Sequence, residues 1–311
     1  MKLNPKIVIT TSTFSKNETL MEELRKSFSN IVTKSKVGAY TPEELLAVLN
    51  DADAGIIGLE IIDESVLKHC PNLKILSKFG VGLDNINISD CEKRGIAIGW
   101  KPGTNKRSVA ELALCFMLSL TRNVCKTSNQ LKQGIWNKNG GTDLTGKTVG
   151  IIGAGNVGKE LISLLKPFHC KILVNDIINQ KDYYLKEGII ESTKEEIFKN
   201  SDFISLHVPL TNLTSNLINK KSFNLMKSSA FLINTARGQI VNNDDLLLAL
   251  KDGKIAGAAI DVYLEEPPKN RELIEHPNLI CTPHIAGNSK EAVLAMGFAA
   301  IDELKSFFKN K

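Results

Sequence analysis

Arg237, Glu266 and His284 follow predicted strands in the second half of the chain. A guanidinium fork can hold a carboxylate by two parallel hydrogen bonds. An imidazole changes charge near neutral pH, so it can take or give a proton at a hydroxyl or carbonyl oxygen. A carboxylate bonded to the far ring nitrogen fixes the tautomer and stabilises the imidazolium that forms. Glu266 has that role if the loop Glu265-Glu-Pro-Pro268 folds toward His284. Together these groups suit hydride exchange on a 2-hydroxy or 2-keto acid. Taken singly, each also has a plain reading as a surface ion pair, a solvated acid or a loop histidine.

Hydride exchange needs a carrier, and Val149-Gly-Ile-Ile-Gly-Ala-Gly-Asn-Val-Gly158 offers a place for one. The β-branched run up to Ile152 predicts a buried strand. It breaks into Gly153, Gly155 and Gly158 in the G-x-G-x-x-G spacing. Val157, Leu161, Ile162, Leu164 and Leu165 then mark one face of a helix. A helix N-terminus behind a glycine turn presents free N–H groups to a pyrophosphate. The following strand, Lys171 to Asp176, ends in an acid 18 positions beyond Gly158. About 20 is the spacing expected for the residue that holds the adenosine ribose. An acid there repels a 2′-phosphate, so the pattern predicts NAD rather than NADP; a solvated strand-end turn is the plain reading of Asp176.

A second glycine-rich stretch, Ser77-Lys-Phe-Gly-Val-Gly-Leu-Asp-Asn-Ile86, follows a predicted strand in the first hundred residues. Its Gly80 and Gly82 expose backbone N–H groups that suit a carboxylate or phosphate oxygen. Lys78 adds a cation. The plain reading is a βα turn with a solvated lysine.

The elements that must position these groups alternate between strand and helix. In the first hundred residues, strands are expected at Lys6–Thr10, Ala54–Gly58, Leu73–Leu76 and Ile96–Ile98. Thr41-Pro-Glu-Glu44 and Asp63 start helices. Such alternation predicts a parallel sheet covered on both faces. In the second half, six strands with crossovers make a doubly wound sheet. The last helix, Ser289 to Phe308, is expected to pack back on the first sheet, making that domain discontinuous. Arg107 to Arg122 reads as one helix that is apolar nearly all round, so burial on every side is expected, with a subunit interface covering part of it.

The chain has 311 residues, enough for two cores, and a net charge of +5 with both signs interleaved. No basic block makes a case for nucleic acid. Six cysteines and five histidines show no metal-ligand spacing, so no metal is expected, and free thiols suit a reducing cytosol. No apolar run near 18 residues and no export signal suggest a membrane.

Several segments carry a resemblance. Thr235-Ala-Arg-Gly238, Asp261-Val-Tyr-Leu-Glu-Glu-Pro-Pro268 and Pro283-His-Ile-Ala-Gly287 resemble the three signature segments of the D-isomer-specific 2-hydroxyacid dehydrogenases. His207-Val-Pro-Leu-Thr211, the glycine fingerprint, Phe79-Gly-Val-Gly-Leu-Asp-Asn85 and Ser108-Val-Ala-Glu111 match further segments in the same order. The resemblance covers nearly the whole chain. It implies Arg237 as substrate clamp, His284 as acid/base and Glu266, not Glu265, as its partner. It also implies that Asp261 lies near the nicotinamide. Gly153, Gly155, Asn156, Val157, Gly158, Asp176, His207, Val208, Pro209, Thr214, Thr235, Ala236, His284 and Gly287 complete the expected NAD site. Lys78, Phe79, Gly80, Val81, Gly82 and Arg237 are the expected substrate contacts.

The implied fold is α/β: two Rossmann-like, doubly wound parallel-sheet domains. One is a flavodoxin-like substrate domain from residues 1–102 and 285–311. The other is an NAD-binding Rossmann domain over 103–284, with a homodimer formed through the Arg107 to Arg122 helix. Within the family the chain resembles the enzymes acting on 3-phosphoglycerate in serine synthesis. It departs from many of them in carrying Lys78 where they carry arginine. Reductases of glyoxylate, hydroxypyruvate or another unphosphorylated 2-keto acid are the alternative, and an NAD-sensing scaffold without activity is a third reading.

Overall fold

The computed structural model describes residues 3–36 and 40–309. The chain divides into two compact units, Met1–Asn105 with Gly287–Lys311, and Lys106–Ala286. The division falls at Asn105/Lys106 and Ala286/Gly287 rather than at the boundaries 102/103 and 284/285 read from sequence. Residues 1, 2, 310 and 311, which the sequence assigns to the first domain, lie outside the described residues.

The first unit is built on five strands: β1 (Ile7–Thr11), β2 (Ile31–Lys36), β3 (Ala54–Ile57), β4 (Ile75–Lys78) and β5 (Ala97–Gly99). They pair in parallel in the order β2-β1-β3-β4-β5, the flavodoxin-like doubly wound arrangement. Strand β2 has no counterpart among the strands expected from sequence. It is an edge strand and carries threonine, lysine and serine, so it lacks the apolar run that marks the strands it joins. Thr41 and Glu44 form a reciprocal capping box at the start of the Pro42–Leu49 helix, as the Thr-Pro-Glu-Glu pattern predicts. The final helix, Lys290–Lys309, packs on this unit. Ser77 Oγ donates to the Ala300 carbonyl at 2.8 Å, and Lys305 meets Glu23 at 2.6 Å.

The second unit has seven strands: β6 (Thr148–Ile152), β7 (Lys171–Asn175), β8 (Ile190–Glu191), β9 (Phe203–Leu206), β10 (Phe231–Asn234), β11 (Gly257–Ile260) and β12 (Leu279–Cys281). Their order is β12-β11-β10-β9-β6-β7-β8, with every pair parallel. This is the Rossmann order, and the strand sequence reverses between β6 and β9. One strand more than expected is present, because β8 is only two residues long at the edge. The central strands are buried on both faces. Val149, Ile151, Ile204, Leu206, Leu232 and Ile233 are fully enclosed. Each such side chain contributes roughly 1.5–3 kcal/mol of transfer free energy, which fixes where the loops at the strand ends can go.

The helix expected over Arg107 to Arg122 runs from Lys106 to Thr121. Ala110, Ala113, Phe116, Met117 and Leu120 are buried in the seven-stranded sheet's core, and Val109 is buried too. Within one chain the helix is covered on part of its circumference. Glu111 and Cys115 are exposed, and Leu114, Leu118 and Ser119 are half-buried along an open groove. Among the described residues no single helix is long and apolar enough to cross a membrane. This helix and its successor, Val124–Lys132, reach that length only together and meet at 62°.

Candidate active site

The glycine fingerprint lies at the switch point of the seven-stranded sheet, where ligands of open α/β sheets bind. Gly153 ends β6 with φ +99, a conformation that favours glycine. A Cβ on it would meet the His207 carbonyl oxygen at 2.5 Å. The fingerprint therefore presses on the loop after β9, so that Gly153 and His207 to Pro209 share one corner. Gly158 is crowded in another way: a Cβ there would lie 2.1 Å from the Gly153 carbonyl oxygen. That contact lets the Asn156–Leu165 helix start directly over the strand end. At Gly155, the helix N-cap, nothing lies within 4 Å of where a Cβ would sit. Gly155 and Asn156 are exposed and Val157 is half-buried. The middle glycine thus leaves bare backbone facing open space at a helix N-terminus, as a pyrophosphate requires.

Asp176 lies one residue past β7 and is tied to the same turn. Its Oδ2 accepts from the Ala154 N–H at 2.6 Å and its Oδ1 from the Ile178 N–H at 2.9 Å. A carboxylate has about four acceptor positions, so both oxygens keep capacity for ribose hydroxyls. His207 Nε2 is bonded to Ser205 Oγ at 2.8 Å, and burial pushes its imidazole down to about 4, so it is neutral at physiological pH. Thr214 is used locally: its hydroxyl donates to the Pro209 carbonyl at 2.7 Å and accepts from the Thr211 N–H at 2.8 Å. It braces the loop carrying Val208 and Pro209. Thr235 buries a hydroxyl that has no partner, and such an orphan is a place for a ligand's polar group.

Arg237, Glu266 and His284 follow β10, β11 and β12, three neighbours in the sheet. Asn234, buried at the end of β10, sets the first turn. Its Oδ1 accepts from the Ala236 N–H at 3.0 Å and its Nδ2 donates to the Arg237 carbonyl at 2.9 Å. The Arg237 Nη1 donates to the Ala236 carbonyl at 2.7 Å. A Cβ on Gly238 would meet the Tyr263 carbonyl carbon at 2.1 Å. The arginine turn therefore lies flat on the loop after β11.

Glu266 comes from that loop, and its Oε2 is 2.7 Å from His284 Nδ1. Its Oε1 accepts from the Tyr263 N–H at 3.2 Å. Burial raises the Glu266 carboxyl. The hydrogen bond and charge of His284, the Tyr263 N–H and the Arg237 guanidinium together outweigh it and hold the group below its ordinary value. Glu265 instead pairs with Lys269 at 2.7 Å.

His284 adopts φ +54, a left-handed conformation unusual for a residue other than glycine. Asp261 holds it there. The carboxylate is completely buried and accepts from Thr282 Oγ1 at 2.5 Å, the Ile285 N–H at 2.8 Å and the Ala286 N–H at 2.8 Å. Tyr263 adds a further tie, its hydroxyl donating to the Thr282 carbonyl at 2.9 Å. Asp261 thus braces the histidine turn. Asn234 and Tyr263 were not singled out from sequence, although both sit beside or inside the segments that carry the resemblance.

Apart from Arg237, the expected substrate residues lie at the end of β4 in the five-stranded sheet and depart from expectation at two positions. Lys78 is the last residue of β4, only 5 % exposed rather than solvated. Its ammonium donates to the Gly58 carbonyl and, at 2.6 Å, to Asn85 Oδ1. The cation assigned to a phosphate is occupied inside the protein. Phe79 is a core residue, its ring edge-on to Phe14 at 5.6 Å, so only its backbone remains for a ligand. Gly80, Val81 and Gly82 are half-buried at the strand's C-terminal end. Gly287 is explained by packing, since a Cβ there would lie 2.6 Å from Asn105 Nδ2.

Comparison with known proteins matches residues 114–286 to the model of the NAD-binding domain of the D-isomer-specific 2-hydroxyacid dehydrogenases. A glyoxylate reductase of Thermofilum pendens is 37 % identical over 297 residues, 93 % of this chain and 88 % of that protein. A D-3-phosphoglycerate dehydrogenase of Methanocaldococcus jannaschii is 34 % identical over 94 % of this chain. This chain spans only 56 % of that relative's length. The solved structure of D-lactate dehydrogenase from Aquifex aeolicus, complexed with NAD and lactic acid, superposes with a TM-score of 0.86 at 28 % identity, covering 97 % of this chain and 96 % of that one. The bare Gly155 backbone, the acid at Asp176 and the orphan Thr235 hydroxyl fit the cofactor that the matched domain binds, and NAD is the cofactor here. Two doubly wound sheets, the glycine fingerprint and the matched domain agree, and the chain belongs to the D-isomer-specific 2-hydroxyacid dehydrogenases.

Proposed function

We propose that this protein reduces an unphosphorylated 2-keto acid to the D-2-hydroxy acid, and runs the reverse oxidation, with Arg237, Glu266 and His284 as its working residues. NAD, when bound, supplies or accepts the hydride at C2 of the substrate. Arg237 clamps the substrate carboxylate. With Nδ1 bonded to Glu266, proton exchange falls to His284 Nε2, which gives its proton to the carbonyl oxygen in reduction and takes it from the hydroxyl in oxidation. Glu266 fixes the ring and stabilises the imidazolium. Asp261, Tyr263 and Asn234 hold the turns. The observation that carries this reading is the 2.7 Å contact between His284 and Glu266, beside the arginine turn.

The unit with the glycine fingerprint is read as the NAD-binding domain and the unit with Gly80 to Gly82 as the substrate domain. Half-buried Leu114 and Leu118 beside exposed Val124 support a homodimer through the Lys106–Thr121 helix. A reducing cytosol suits the six free cysteines.

A second reading, oxidation of 3-phosphoglycerate at the entry to serine synthesis, is favoured by the relative from Methanocaldococcus jannaschii and by Gly-Val-Gly-Leu-Asp-Asn85. The enclosed ammonium of Lys78 weighs toward the first. The test is NADH oxidation by the purified chain with hydroxypyruvate beside 3-phosphohydroxypyruvate, with the product's configuration determined. Faster turnover of hydroxypyruvate to D-glycerate is expected. Preferred turnover of the phosphorylated acid would return the assignment to the serine pathway.

A further inference from the structure

The glycine turn after β6 is held from outside by the loop that follows β7. Ala154, between the first two fingerprint glycines, is fully buried, and side chains of that loop take both of its backbone polar groups. Its N–H donates to Asp176 Oδ2 at 2.6 Å, and its carbonyl accepts from Gln180 Nε2 at 3.2 Å. A peptide is planar and trans, so fixing its carbonyl also fixes the direction of its N–H. Asp176 therefore sets the plane between Gly153 and Ala154. Gln180 sets the next plane, between Ala154 and Gly155, and with it the direction of the Gly155 N–H. That second plane needs an outside hold. Gly155 is exposed, carries no side chain, and has nothing within 4 Å of where a Cβ would sit. Glycine leaves φ widely free, so the turn does not by itself choose one orientation for the peptide before it.

Gln180 serves this turn rather than its own helix. It is the N-cap of the Lys181–Glu187 helix, a position where a short Asn, Asp, Ser or Thr side chain usually bonds the helix's first N–H groups. Gln180 makes no such bond, and its half-buried carboxamide reaches back to the fingerprint. The loop that carries it is itself tied down. Asn179 Oδ1 accepts from the Lys181 N–H at 3.1 Å, and the Gln180 carbonyl accepts from the Tyr184 N–H at 3.0 Å. The Lys159 ammonium, in the first turn of the Asn156–Leu165 helix, lies 4.7 Å from the centre of the Tyr183 ring. The helix behind Gln180 is thereby joined to the helix that the fingerprint opens.

We propose that Gln180 is a positioning residue of the NAD site: it orients the Ala154–Gly155 peptide so that the Gly155 N–H joins the free N–H groups of the helix start in receiving the pyrophosphate. With Asp176 on the same loop, residues 176–180 set both the acid for the ribose and the turn for the pyrophosphate. This deepens the reading of the glycine fingerprint as the cofactor site and rests on it.

The experiment compares the full chain with Gln180→Met, which keeps the length of the side chain and loses its donor, and with Gln180→Asn, whose carboxamide is one methylene short. NADH affinity is read by fluorescence titration, and ADP-ribose and adenosine are titrated against bound NADH. In both variants the dissociation constants of NADH and ADP-ribose should rise by about two- to tenfold, the worth of one hydrogen bond. The constant for adenosine, which lacks the pyrophosphate, should stay unaltered, a split that a loosened fold would not give. In the cofactor-free chain, amide hydrogen exchange over 153–158 should quicken in the variants. Unaltered affinity for NADH and ADP-ribose, or an equal loss for adenosine, would overturn the role of Gln180 while leaving the fingerprint as the cofactor site. Failure of the unaltered chain to bind NADH would remove that reading and the role of Gln180 with it.

Discussion

At the scale of single residues, the His284–Glu266 contact makes a signed prediction about pH. Glu266 is held below the ordinary carboxylate value, so it stays ionised through neutrality and the pair breaks only as pH falls through that depressed value. Glu266→Gln removes the titrating carboxyl, so the acid limb that this group sets in the reduction profile should disappear, with part of the rate retained near neutral pH. An unmoved limb in a kcat/KM profile would refute the partnership. Asp261 makes a second prediction, since its carboxylate accepts three hydrogen bonds in a fully buried position. Asp261→Asn turns a donor toward backbone N–H groups and should cost about 1–3 kcal/mol in denaturant unfolding, together with a lowered kcat. Strand ends and residue types single out Arg237, Glu266 and His284 only weakly, and the signature segments around them are what assign their roles from sequence. The burial of Lys78 could not be read there, because its acceptors, Gly58 and Asn85, come from two other loop positions that only the folded sheet assembles.

At the scale of elements, the glycine fingerprint is a packing device as much as a binding loop. A methyl group on Gly158 would lie 2.1 Å from the Gly153 carbonyl oxygen, a backbone atom that cannot step aside. Gly158→Ala should therefore lift the Asn156–Leu165 helix from β6, with about 1–3 kcal/mol of lost stability from overpacking and weaker NADH binding. Thermal unfolding and NADH fluorescence titration on the same sample check both parts. Unaltered binding would mean that the helix N-terminus is not held against the strand end in the way described. Most strands and helix starts were legible, because a β-branched run or a Thr-Pro-Glu-Glu pattern is a local signal. Strands β2 and β8 were not: an edge strand is defined by its neighbours, and its own residues are polar or few. The turns built by Asn234 and Tyr263 escaped notice for a related reason, since a residue that braces another's loop carries no chemistry of its own.

At the scale of the whole molecule, the alternation of strand and helix was enough to expect parallel sheets, and the segment matches were enough to expect this family. The apolar pattern of the Lys106–Thr121 helix carries an expectation of burial shared with a subunit interface, and within one chain Glu111 and Cys115 are exposed and Leu118 is half-buried. If that stripe is a homodimer interface, Leu118→Glu should give a monomer in sedimentation velocity where the unaltered chain gives a dimer. A dimer in both would move the interface elsewhere. The claim on which the functional account turns is that His284 moves the proton that accompanies hydride transfer. The measurement that tests it most directly is the steady-state rate of NADH oxidation with hydroxypyruvate by His284→Ala, beside the unaltered chain, with NADH binding followed in both. The account predicts that kcat falls by about 10²–10⁴-fold while NADH still binds; a His284→Ala enzyme that turns over at the unaltered rate would contradict it.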